Sequence, residues 1–156
     1  MRDPRIFHLI QRAHSALFRS ADRALKEQAG LSSAQQAILF LLNLRDGAPI
    51  TAIADQLKMG KSSLTGLIDR MSESGLVERR PSLRDGRSLE VFILPEGKRA
   101  VEATLAGTRK INAELLAPFS AEEREVIARF LTHVSDNAET IVSSHINATI
   151  STGTFS

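Results

Sequence analysis

The hydrophobic period of residues 49–94 switches from helical to strand-like part-way through, and that succession fixes what the segment can become. Ile53, Ala54 and Leu57 recur at helical spacing and predict a helix over 52–58. Gly60 breaks the pattern. Leu64, Leu67, Ile68 and Met71 resume it over 61–74, and Gly75 ends it. Leu76–Arg80 and Leu89–Leu94 then read as strands. They are joined by the turn-rich PSLRDGRS, with Asp85-Gly86 at the tip. Helix, turn, helix and hairpin in this order make a helix-turn-helix with a β-wing.

The rest of the chain is helical in pattern. Phe7, Ile10, His14, Leu17 and Ala21 form a stripe over 5–29, wide enough to be covered on two sides, and Gly30 is placed as a C-terminal cap. Ser32 and Gln35 have capping-box spacing before the apolar run AQQAILFLLNL, which Asp46-Gly47 stops. Pro49-Ile50 reads as a short extended piece, and Thr51 as the N-cap of the helix after it. Pro95 suits the first turn of a helix over 95–117. Ser120 and Glu123 repeat the capping-box spacing ahead of a last helix over about 121–147, with a small, polar tail expected to fray. At 156 residues the chain is expected to be one mainly α domain with a core that needs no staples.

The absence of cysteine excludes disulfides, thiolate catalysis and cysteine-based redox sensing. No apolar run approaches the length of a membrane span, and the charged N-terminus does not read as a signal peptide, so a cytoplasmic protein is expected. The sequon at Asn147 is read as chance. His8, His14, His133 and His145 form no metal-ligand spacing. No GxSxG, P-loop, HExxH or dinucleotide fingerprint is present, so an enzyme is not expected and no cofactor is implied. Glu122, Glu123 and Glu125 sit where acidic residues favour a helix dipole.

Net charge is only +2, but its distribution is uneven. Residues 1–110 carry 18 Lys and Arg against 12 Asp and Glu, whereas residues 111–156 carry 2 against 6. A basic body with an acidic end suits a protein with one side facing phosphate. The outer face of the 61–74 helix carries Lys61, Ser62, Ser63, Thr65, Gly66, Asp69 and Arg70. Small hydrogen-bonding side chains let a helix approach base edges, while Lys61 and Arg70 can take phosphates, as can the amides at the helix start. Taken alone, such a face is equally that of a solvated amphipathic helix. Arg79, Arg80, Arg84 and Arg87 within nine residues favour DNA, because loop arginines suit phosphate or a narrow minor groove.

Residues 62–100 resemble the MarR family of bacterial and archaeal winged-helix regulators. The likeness rests on GLVERR, the Asp85-x-Arg87 wing tip and the Leu94-to-Gly97 step into the next helix. Gly60 and Gly66 depart from the family, which often has a serine cap and a larger reading residue there. The resemblance implies a homodimer joined through residues 1–30 and 111–147, with 33–94 as the DNA-binding lobe and 95–117 as the connecting helix. It implies contacts to double-stranded, near-palindromic DNA from Ser62, Ser63, Thr65, Arg84 and Arg87, with Asp85 supporting the wing arginine. It also implies a repressor relieved by an aromatic or anionic small molecule, for which the sequence marks no pocket residues. The alternative is a winged-helix protein used for protein–protein contact or architectural DNA binding.

Overall fold

The computed structural model describes residues 5–151, the side chains of 146–151 excepted. The chain divides into two compact units, residues 1–109 and 110–156. The first unit begins with α1 (Ile6–Ala29), α2 (Ser33–Leu44), β1 (Ala48–Pro49), α3 (Ile50–Leu57) and α4 (Lys61–Glu73). It continues with β2 (Val77–Pro81), β3 (Leu89–Ile93) and the start of α5 (Pro95–Leu116). The second unit holds the end of α5 and α6 (Ala121–Ser151).

The helix boundaries follow local chemistry. Gly30 ends α1 in the left-handed region, with φ of 66°. The capping box of α2 is complete: Ser32 N–H donates to Gln35 Oε1 at 2.8 Å, and Gln35 N–H donates to Ser32 Oγ at 3.2 Å. A second acceptor comes from α1, whose Asp22 carboxylate takes the Ser33 N–H at 2.7 Å. That backbone bond, then the Ser33 hydroxyl, holds the Asp22 carboxyl below the usual carboxylate range. The Ser120–Glu123 box also forms at the start of α6.

Three expected boundaries differ. Thr51 is not an N-cap: α3 starts two residues earlier than expected, with Pro49 as N-cap and no side-chain cap bond, and Thr51 lies in its first turn. The extended piece before it is Ala48–Pro49 and has a partner, pairing antiparallel with β3 through Ala48–Val91 and Pro49–Glu90. The helix expected to stop at residue 147 runs on to Ser151, because nothing in Ala148–Ser151 breaks it; residues 152–156 of the expected tail lie outside the described residues.

β3 is the central strand of a three-stranded sheet in the order β1-β3-β2, which leaves β2 on the edge, where Pro81 is tolerated. The core of the first unit gathers Ile38, Leu39 and Leu42 from α2, Ile53 from α3, Leu64, Ile68 and Met71 from α4, and Val77 and Val91 from the sheet, all fully buried. The two ends of the hairpin are tied beneath it. Leu94 N–H donates to the Leu76 carbonyl at 2.9 Å, and a Cβ at Gly97 would meet that same oxygen at 2.4 Å, so only glycine fits there. Asp46 Oδ1 accepts from Gly47 N–H at 3.1 Å and from Ile93 N–H at 2.9 Å, clasping the end of β3 to the turn after α2.

The terminal helices differ from this core. The expected two-sided cover of α1 is not found within the first unit: α1 has no buried residue, and Phe7, Leu9, Leu17 and Phe18 are exposed. Considered by itself, α6 likewise exposes Val126, Phe130, Leu131, Ile141 and Val142.

Candidate nucleic-acid interface

The inner face of α4 is the one expected: Leu64, Leu67, Ile68 and Met71 are buried. Helical geometry then turns Lys61, Ser62, Ser63 and Arg70 outward, and all four are exposed. Thr65 and Gly66 are half-buried on the flank. The helix begins after Gly60, which supplies no side-chain cap bond, so the first amides of α4 have no capping side chain. A Cβ at Gly66 would meet only Arg70 Nη1, at 3.7 Å; the position is open, not crowded. Thr65 Oγ1 donates to the Lys61 carbonyl at 2.8 Å, which fixes its rotamer against its own helix.

The four hairpin arginines separate into two pairs. Strand alternation puts Arg79 on the same face as buried Val77, opposite buried Val91, so it points towards α4. There its Nη2 donates to the Thr65 carbonyl at 3.1 Å and pairs with the Asp69 carboxylate. Arg80 points the other way, pairs with Glu78 and lies over the Phe92 ring at 4.5 Å from its centroid. Arg84 and Arg87 are exposed in the wing loop. Among the described residues, neither guanidinium engages a carboxylate. Asp69, placed by pattern among the outward residues, is half-exposed and committed to Arg79.

Asp85 supports the wing through backbone, not guanidinium, contact: its Oδ1 accepts from Arg87 N–H at 3.1 Å. The hub of the loop is a residue that sequence reasoning passed over. Ser82 is buried, its Oγ donates to Glu90 Oε1 at 2.7 Å, and it accepts from Arg84 N–H at 3.2 Å and Asp85 N–H at 3.4 Å. Ser82 N–H donates to the Ser88 carbonyl and Ser88 N–H to the Asp85 carbonyl, each at 2.9 Å, closing the loop on itself. The available signal was a serine two and three residues ahead of turn amides, the spacing of a side-chain turn.

Together these parts make an exposed row of small polar side chains on α4 and a hydrogen-bonded loop carrying two arginines that, among the described residues, have no carboxylate partner. Such a surface can hydrogen-bond and attract polyanions; it offers no nucleophile paired with a base. A family model described as the MarR family matches residues 31–89. The HTH-type transcriptional repressor MdtR of Bacillus subtilis is 27% identical over 134 residues, covering 84% of this chain and 86% of the relative. The transcriptional activatory protein BadR of Rhodopseudomonas palustris is 30% identical over 139 residues, covering 85% of this chain and 78% of the relative. Among solved structures, the S. aureus MepR–DNA complex has the same fold, with a TM-score of 0.79 at 21% identity, covering 87% of this chain and 99% of that one.

Replacing Ser82 with Ala leaves two loop amides and the Glu90 carboxylate without their partner. The expected result is faster amide exchange at Arg84 and Asp85, with a global loss of about 1–3 kcal/mol by urea denaturation. Unchanged exchange at both amides refutes the hub role.

Proposed function

The chain belongs to the MarR family of DNA-binding transcription regulators, and from that premise we propose a homodimeric repressor that docks α4 in the major groove and sets its wings on the flanking backbone. The observation that carries this reading is the pairing of an outward polar α4 face with two wing arginines that have no carboxylate partner among the described residues. Lys61, Arg70 and the open amides at the start of α4 supply phosphate contacts; Ser62, Ser63 and Thr65, with Gly66 allowing close approach, face base edges. Arg84 and Arg87 reach phosphate or the neighbouring minor groove, with Asp85 holding the loop.

The dimer is supported by apolar surface that each unit, taken by itself, leaves uncovered: Phe7, Leu17 and Phe18 on α1, and Val126, Phe130 and Leu131 on α6. In this proposal a second copy covers both helices, with an interface of roughly 2,000 Å² or more, as obligate dimers have. The repressor role is supported by the name of MdtR, although BadR is named for activation. A small aromatic or anionic effector is carried over from the family alone. No helix among the described residues is long and apolar enough to cross a membrane, and the proposed place of action is the cytoplasm, with the chromosome.

Sedimentation at micromolar concentration should return a dimer; a monomer there removes the two-fold reading. Selection from random DNA should yield a near-palindrome with half-sites about 10–10.5 base pairs apart. On that site Thr65→Ala should cost about 1–3 kcal/mol, with much less lost on unrelated DNA. Arg84→Ala or Arg87→Ala should weaken both, each lowering the salt slope by about 1. A loss confined to the preferred site would instead make the wing a base reader. Transcribed in vitro, a promoter overlapping that site should fall silent as protein is added and recover on adding the effector; stimulation by protein alone would reverse the repressor assignment.

A further inference from the structure

We propose that Arg79 is a positioning residue for recognition: it does not touch DNA but clamps β2 to α4, so that wing and reading helix are presented in one fixed relation. The inference rests on the docking of α4 proposed above and adds a device to it.

Thr65 and Asp69 lie one turn apart on α4, so the carbonyl of one and the carboxylate of the other are stacked on the same face. Arg79 Nη2 binds both, with 3.1 Å to the Thr65 carbonyl. A carbonyl within a helix retains a second lone pair, so the grip need not open the helix. The Arg79 side chain is only 23% exposed, and its Nε is buried with no hydrogen-bond partner among the described residues. Reaching phosphate would mean abandoning two charge-assisted or backbone bonds. Thr65 is thereby held twice, by its hydroxyl on Lys61 and by its carbonyl on Arg79. β2 also leads directly into the loop that bears Arg84 and Arg87, so the same guanidinium joins the reading residue to the wing.

The test uses full-length protein, the DNA site recovered by selection and an unrelated duplex, with both affinities measured across a salt series. Arg79→Met should lower the ratio of the two affinities about tenfold and leave the salt slope on unrelated DNA unchanged, because no phosphate contact is lost. Asp69→Ala supplies a test of sign. Removing a carboxylate from a DNA-facing helix tightens binding to every sequence by charge alone. The clamp instead predicts a fall in the ratio like that of Arg79→Met, with the double variant no worse than either single. A slope lowered by about 1 with equal loss on both DNAs would place Arg79 on phosphate and overturn the proposal. An intact ratio in Asp69→Ala overturns it too. Thr65→Ala separates the two layers: if it leaves the ratio unchanged, the docking of α4 fails and the clamp with it. If it shifts the ratio and Arg79→Met does not, only the clamp fails. Should Arg79→Met not fold, Asp69→Ala decides alone, since Asp69 is half-exposed in a helix and alanine suits that position.

Discussion

The Leu76 carbonyl is the point on which the hairpin closes. A two-stranded ribbon is marginal in water by itself, and its tip drifts unless its base is held. Here the base is held by several constraints of different kinds. The Leu94 amide bonds to that oxygen, and Gly97 brings α5 against it at a distance no side chain allows. Val77 and Val91 anchor the strands in the helical core, while β1 adds a third strand on the inner edge of β3. The wing arginines stand on a loop, yet their location is set by packing beneath the sheet.

Elements governed by local chemistry were legible in the sequence. The inner face of α4, the Gly30 cap and both capping boxes depend on residues within a turn or two of each other, and spacing reveals such relations. What escaped depends on partners distant in the chain. Ala48–Pro49 becomes a strand only because β3 lies beside it, some forty residues later in sequence. The helix start at Ile50 follows from that strand ending, which left Thr51 inside the first turn. Ser82 looked like one more turn residue, since nothing near it announces that Glu90 returns across the hairpin.

The arginines show the same limit in electrostatic terms. Four within nine residues weighed towards DNA binding. Strand alternation divides them, however, and two are occupied by Asp69 and Glu78. A count of charges along the chain therefore overstates what the surface offers a polyanion. The field that remains comes from Arg84 and Arg87, aided by Lys61 and Arg70 on α4. An exposed ion pair such as Arg80–Glu78 adds little stability. The larger effect of both pairs is to remove charge from one place and leave it in another.

The hydroxyl of Thr65 already donates its one hydrogen to the Lys61 carbonyl. What it can still offer a base is a lone pair and a methyl group. In the proposed docking it would accept from the exocyclic amine of adenine or cytosine, or lie against the thymine methyl, but it has no hydrogen left for the O6 or N7 of guanine. In that docking, a hydrogen bond made wholly inside the helix would work as a filter on base identity, turning a side chain that is ordinarily permissive into one that discriminates against guanine.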